Sequence, residues 1–232
     1  MNLLDILYPR RCALCDRVVA GRNYPVCFAC RKWIQPIRGP RCLRCSKPLE
    51  NEREEYCLDC SRMHFTYDRG FAACVYTGKI QESLMRFKYQ GRQEYAVFYA
   101  GMLDALAGQV IAGWKPEVLI PVPVHPARLR RRGYNQAEVL AGQLQRRWNI
   151  PVDSKCVRRV KRTRAQKNLD DKERRKNLRQ AFGLVGPVPY HSVLIVDDIY
   201  TTGSTVDAIS RILKENGVQK VYFVTVCIGR GF

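Results

Sequence analysis

Residues 193–206 read VLIVDDIYTTGSTV. An apolar run delivers two adjacent carboxylates, Asp197 and Asp198, and a hydroxyl-rich turn of Thr201, Thr202, Gly203, Ser204 and Thr205 then opens a helix. Free N–H groups at a helix start, hydroxyl donors and a glycine that permits close approach are the parts of an anion cradle. Two carboxylates aimed at a phosphate would repel it. They suit sugar hydroxyls, which donate hydrogen bonds, or a metal ion. Phosphate at one end and a vicinal diol at the other describe a ribose 5-phosphate. The plainer reading, a βα turn with Asp and Thr as caps, does not call for this whole combination.

A second set of residues carries metal chemistry. Four CxxC pairs occur, Cys12/Cys15, Cys27/Cys30, Cys42/Cys45 and Cys57/Cys60, with eleven residues between each pair and the next. Each pair directs two thiolates at one point, and two pairs complete a tetrahedral zinc site. Eight cysteines thus supply two zinc ions. All-cysteine ligation leaves no open position, so both sites are expected to be structural. Equal spacing permits a sequential pairing (12/15/27/30 and 42/45/57/60) or a crossed one, the sequential form needing only short loops. Redox pairs of the thioredoxin type are the competing reading, and four repeats at one spacing speak against them. Cys74, Cys156 and Cys227 lie in or beside apolar runs and read as buried small hydrophobes.

The elements that position these groups change character near residue 64, giving a cysteine-rich module over 1–64 and a second domain over 65–232. Beyond that point strand-like and helix-like patterns alternate, as in a parallel sheet. Strands are expected at 70–76, 117–123, 193–196 and 221–228. Helices are expected over 79–112 with a break at Gln90, Gly91 and Arg92, over 135–148 with Asn135 as cap, and over 204–216 with Gly217 ending it. The order β-α-α-β-α-β-α-β describes a doubly wound α/β sheet.

The formal net charge is +19. A field of that sign favours polyanions: nucleic acid, an anionic membrane surface or a highly phosphorylated small molecule. Residues 155–179 hold 12 Lys/Arg against 3 Asp/Glu, and residues 1–64 hold 12 against 7. A like-charged run of the first kind is solvated, mobile or bound to anions. Trp33 and Tyr56 are candidates for stacking on bases, with core packing as the plain alternative. No stretch approaches the roughly 18 uncharged apolar residues of a membrane span. The start, MNLLDILYPRRC, lacks the charge order of a secretory signal, so a cytoplasmic location is expected.

The double-Asp loop resembles the phosphoribosyl pyrophosphate signature of type I phosphoribosyltransferases. The chain as a whole resembles the ComF family, competence proteins joining a cysteine-rich zinc module to such a domain. Three further segments support the closer match: YTGKIQESLMRFKYQG (76–91), LIPVPVHPARLRRRGYNQAEVLA (119–141) and RTRAQKNLDDKERRKNLRQAF (162–182). The resemblance implies a zinc-ribbon module followed by a type I phosphoribosyltransferase fold. It places the 5-phosphate on Thr201–Thr205, the ribose hydroxyls on Asp197 and Asp198, and the pyrophosphate loop at Pro123, Val124, His125 and Pro126. The stretch from about Arg158 to Arg179 becomes a mobile loop that closes over the substrate. Mg2+ would accompany phosphoribosyl pyrophosphate, and Arg128, Arg132 or loop cations would neutralise the leaving group; Arg130 and Arg131 lie between them.

Two features depart from the relatives. Tyr200 stands where nucleotide-salvage enzymes more usually have an aliphatic residue. Asn2 leaves no cysteine after Met1 to release ammonia from glutamine. Three functional readings follow: a phosphoribosyltransferase with an unreadable acceptor, a module that binds a phosphorylated ligand or single-stranded DNA, and an adaptor for a DNA-uptake helicase or another competence protein. Handling of incoming single-stranded DNA during natural transformation, on a domain that binds phosphoribosyl pyrophosphate, is the reading preferred on resemblance and charge.

Overall fold

The computed structural model describes residues 9–19, 25–160 and 181–229. Four strands build one parallel sheet in the order β1-β6-β5-β2: β1 (Arg69–Val75), β2 (Val118–Pro121), β5 (Ser192–Tyr200) and β6 (Lys220–Ile228). The central pair β5 and β6 is in register from Ser192↔Lys220 to Tyr200↔Ile228. Successive side chains of a strand point to opposite faces, and both faces here are apolar. Leu119, Leu194, Val196, Val224 and Val226 enter one cluster, while Val118, Ile120, Val193, Ile195, Val221 and Phe223 enter the other. Burial on both sides is why these strands read as continuous hydrophobic runs.

One face is covered by α2 (Gly78–Tyr89), α3 (Ala96–Trp114) and α5 (Gln136–Trp148). By length and composition α3, with its preceding 3-10 turn (Gln93–Trp114), could cross a membrane, its most apolar 18-residue window having a mean hydropathy of 1.4. Asp104 lies within it, so it is not an uncharged apolar run of that length. The helix is apolar because it lies on the sheet, burying Phe98, Tyr99, Met102, Leu103 and Ile111, while Asp104 accepts a hydrogen bond from Trp148 Nε1 at 2.9 Å. The opposite face carries α6 (Ser204–Glu215) and a short antiparallel hairpin, β3 (Val157–Arg159) and β4 (Phe182–Leu184).

Three elements differ from the expected order. The run PARLRRR forms a helix, α4 (Pro126–Arg132), started by Pro126 at its first turn and closed by Gly133 at φ 83°. Its one-sided charge hid it from an apolar periodicity search. The β3–β4 hairpin is too short to show alternation. The third sheet strand runs to Tyr200 instead of stopping at 196, so both aspartates lie inside a strand.

The eight CxxC cysteines gather as Cys12/Cys15/Cys27/Cys30 and Cys42/Cys45/Cys57/Cys60, which is the sequential pairing. Sulfurs stand 3.9 Å apart between Cys15 and Cys27, and 3.5 Å apart between Cys45 and Cys57. A tetrahedron with metal–sulfur bonds of about 2.3 Å needs separations near 3.8 Å, so both clusters fit zinc. Neither ribbon is a loose appendage. Cys12, Ala13 and Leu14 are buried with Leu84, Phe87 and Tyr99, and Asp16 accepts hydrogen bonds from Tyr95 Oη and from Arg92 at 3.0 Å. The second ribbon, which includes the short α1 (Leu58–Arg62), buries Cys42, Cys45 and Cys60 with Tyr67 and Ala72. Its Arg41 donates to the Ala72 carbonyl at 2.9 Å and lies 4.6 Å over the Phe71 ring. Cys74, Cys156 and Cys227 are buried, as expected.

Candidate functional site

Neighbouring strands β2 and β5 end on the same edge of the sheet, Pro121 pairing with Val196, and release the two loops that matter there. Ligands of open α/β sheets sit outside these carboxyl ends. From β5 the chain passes Thr201 and Thr202 into Gly203, at φ 76°, and then enters α6. The Thr202 and Ser204 hydroxyls are 2.8 Å apart. Thr201 is exposed, Thr202, Ser204 and Thr205 are half-buried, and the first turn of α6 turns its N–H groups toward them.

Tyr200 explains the shape of this loop. Its ring stacks on Phe223 (4.8 Å, 9°), and its hydroxyl meets the Tyr67 hydroxyl at 2.6 Å. The same ring fills the space where a side chain at residue 203 would go. Glycine is therefore required twice, for its left-handed backbone and for the tyrosine beneath it. Gly203→Ala is expected to lower the melting temperature, from strain of roughly 1–2 kcal/mol plus displacement of a locked ring. A thermal melt reads the effect, and a wild-type melting temperature in the variant would show that the loop tolerates a side chain.

The continuation of β5 through residues 197–198 separates the two aspartates, because alternate residues face opposite sides of the sheet. Asp198 turns toward the face of α2 and α5 and is only 2% exposed. Its Oδ2 pairs with Lys88 Nζ at 2.6 Å, and its Oδ1 accepts from Gln136 Nε2 at 3.3 Å. Gln136 in turn accepts from Arg132. One chain of polar contacts thus ties α2, α4, α5 and β5 together. Burial tends to lower the Lys88 pKa, yet the Asp198 carboxylate holds it above the usual lysine value. Asp197 faces the other side. Burial, then the adjacent Asp198 carboxylate, push its carboxyl well above the usual range. Burial and the nearby Arg128 lower the Arg159 guanidinium, with Asp197 acting in the opposite sense.

The β2 loop holds Val124 and His125. His125 caps α4, its Nδ1 accepting from the Ala127 N–H at 3.1 Å. Asn135 caps α5 through the Ala137 N–H at 3.1 Å, as the sequence implied, and also donates to the Val122 carbonyl at 3.1 Å. This latches the loop to the helix behind it. Arg128, Arg131, Arg132, Lys88 and Tyr89 line a cavity of about 390 Å³, with Arg132 5.0 Å over the Tyr89 ring. Arg130 is exposed on the same helix.

Of the residues expected at this edge, contacts through Gln136 link Asp198 to Arg132, on the helix that also carries Arg128 and is capped by His125, while residues 161–180 of the basic loop lie outside the described residues. Lys88, Gln136 and Tyr89 were not singled out from sequence. Lys88 and Tyr89 sit in the segment FKYQG, where a lysine and a tyrosine interrupt the apolar stripe of α2 at its C-terminal end; that interruption is the signal that would have found them.

Residues 3–61 match the family model described as double zinc ribbon domain, and residues 104–231 match that of the phosphoribosyl transferase domain. Together with the two four-sulfur clusters ahead of a parallel α/β sheet, these matches decide the family. The chain belongs to the ComF family. Competence protein F of Haemophilus influenzae is 40% identical over 146 residues, which are 60% of this chain and 63% of that protein. DNA utilization protein YhgH of Salmonella typhimurium is 34% identical over 66% of this chain and 68% of its own. The ComF relative of Bacillus subtilis, Competence protein ComFC, is 28% identical over 62% and 57%. A purine phosphoribosyltransferase from Pyrococcus horikoshii Ot3 covers 58% of this chain and 71% of its own at TM-score 0.32 and 19% identity.

Proposed function

We propose that this protein binds 5-phosphoribosyl pyrophosphate at the carboxyl edge of its sheet and binds single-stranded DNA, handling incoming DNA in the cytosol during natural transformation. The observation that carries the ligand half is the convergence of three groups on one edge: the Thr201–Thr205 loop, the Asp197/Asp198 pair and the arginine helix α4. The names of the relatives, Competence protein F and DNA utilization protein YhgH, support the process. The charge of +19 supports the polyanion.

In this reading Thr201–Thr205 and the start of α6 hold the 5-phosphate. Asp197 accepts from a ribose hydroxyl, and Asp198, already bonded to Lys88 and Gln136, frames that carboxylate from behind. Val124 and His125 present backbone to the pyrophosphate, whose charge Arg128 and Arg132 neutralise. Mg2+, if bound with the ligand, would supply positive charge to the pyrophosphate. Asp197 is the better placed of the two carboxylates to face it, since Lys88 and Gln136 occupy both oxygens of Asp198.

The open cavity beside Tyr89 and α4 favours a second reading, transfer to an acceptor. There the bond from C1 to pyrophosphate breaks through an oxocarbenium-like state. This chain's part would be positioning and charge stabilisation, with no protein nucleophile.

Calorimetry with phosphoribosyl pyrophosphate and Mg2+ tests the site. The native chain is expected to give a saturable signal that Asp197→Ala/Asp198→Ala abolishes. An unchanged signal in the variant would remove the carboxylates from the binding site.

A further inference from the structure

Residues 28–33, FACRKW, follow Cys27 as two turns of 3-10 helix whose only buried member is Cys30 of the first cysteine cluster. The two aromatic rings of this segment point outward. Phe28 is 85% exposed and Trp33 47%, as is Val18 at 56%, whereas Ala13, Leu14 and Val26 of the same ribbon are packed into the core. Each ring carries its own cation: Arg31 lies 5.7 Å from the Phe28 centroid and Lys32 5.4 Å from that of Trp33. A phenylalanine left almost wholly in water buries little apolar area here, and its ring is open to what it meets.

Charge narrows the occupant. Residues 9–40 hold seven Lys/Arg and one acid, Asp16, whose carboxylate is already bonded to Tyr95 and Arg92 of the body. Residues 41–64 hold five of each sign, with Glu50, Glu52, Glu54 and Glu55 beside Tyr56. The two ribbons are built alike and charged differently. Tyr56, although exposed and 5.8 Å from Arg44, therefore sits in acidic surroundings that repel a phosphate chain.

We propose that Phe28, Arg31, Lys32 and Trp33 of the first ribbon form a platform for single-stranded nucleic acid. Bases stack on the two rings, and the two cations meet the phosphates between them. A base offers its flat face only when unpaired, so a ring–cation pair of this kind selects single strands over duplex. The platform rests on the DNA-binding half of the proposed function and adds to it where the strand lies. It also divides the labour of the chain, because the ribose-phosphate edge of the sheet is built from different residues.

The test uses the full zinc-loaded chain and a fluorescein-labelled oligothymidine read by anisotropy. Phe28→Ala/Trp33→Ala is expected to weaken binding by about tenfold or more, with zinc content, melting temperature and the phosphoribosyl pyrophosphate signal unchanged. Phe28→Tyr/Trp33→Tyr, which keeps the rings, is expected to retain it. Arg31→Gln/Lys32→Gln is expected to reduce the slope of log affinity against log salt by roughly 1.4, two phosphate contacts' worth. Native-like affinity in the alanine variant would overturn the platform while leaving DNA binding intact. Equal competition by duplex DNA or by polyglutamate would overturn it as well, since charge alone would then explain binding. Failure of the native chain to bind oligothymidine at any salt would remove the platform and the DNA half of the proposed function together.

Discussion

Asp198→Ala alone will destabilise the protein by about 3–5 kcal/mol, whereas Lys88→Met together with Asp198→Leu will fold with nearly native stability. The carboxylate is 2% exposed and the lysine 18%, so removing one partner strands the other charge in a poorly solvated place. Removing both leaves two apolar groups that pack. The raised Lys88 pKa sets the sign of the pH effect: the ammonium form is favoured by folding, so the pair's contribution is complete at neutral pH. It is lost only as pH climbs through the folded value, above 10.5. Asp197→Asn makes the contrast. Folding raises the Asp197 pKa, meaning the charged form is disfavoured there, so the amide will leave stability unchanged or higher while removing phosphoribosyl pyrophosphate binding. Denaturant melts of the three variants and the corresponding binding isotherms read both effects. If Asp198→Ala unfolds within about 1 kcal/mol of the native chain, the pair is effectively solvated, and Asp198 is not the frame described above.

That contrast shows where reading the sequence stopped. Asp197 and Asp198 are adjacent letters and looked like one functional unit. They do different things because the strand continues beneath them, and strand length at a turn is the least legible feature of a hydrophobic run. The loop itself was legible to the residue, since glycine, hydroxyls and a helix start leave few other conformations. So were the cysteine clusters, whose spacing fixes the knuckles, although the choice between sequential and crossed pairing is decided by packing and not by spacing. The helix α4 was invisible as a helix because three consecutive arginines, 130 to 132, carry no apolar period. It forms because Pro126 and the His125 cap start it and Gly133 stops it. Lys88 and Gln136 could not be paired with Asp198 from the sequence at all: 110 and 62 residues separate them, and only the crossing of α2 and α5 over one sheet face brings them together.

Tyr200 teaches the same lesson from the other side. In the sequence it stands only as a departure from the nucleotide-salvage enzymes, with no structural role attached. Its ring instead lies under Gly203, bonded to Tyr67, which is packed in one cluster with Cys42, Cys45 and Cys60. Tyr200 is thus a brace between the core cluster that holds the second ribbon's cysteines and the Thr201–Thr205 loop.

Stripping zinc will therefore do more than unfold an arm: it will abolish the phosphoribosyl pyrophosphate binding proposed for the Thr201–Thr205 loop. Structural zinc in four-ligand modules contributes about 10–16 kcal/mol at neutral pH, and the net stability of a domain is about 5–15 kcal/mol. Loss of either ion is thus comparable to everything that holds the fold. The first cluster is packed with Leu84, Phe87 and Tyr99 and the second with Tyr67, Ala72 and Tyr200, so neither can relax without opening the core beside it. Metal analysis of the native chain will find two zinc ions. Incubation with a strong chelator, or Cys45→Ser, will lower the melting temperature by tens of degrees or leave no cooperative transition, and the ligand isotherm will vanish in the same samples. A mild variant separates the coupling from global collapse. Tyr67→Phe removes only the hydroxyl bond to Tyr200, worth about 1 kcal/mol, and should weaken the ligand severalfold at full zinc content. A chelated protein that still melts cooperatively near its native temperature and still binds phosphoribosyl pyrophosphate would show that ribbons and sheet are energetically independent, and would remove the brace with them.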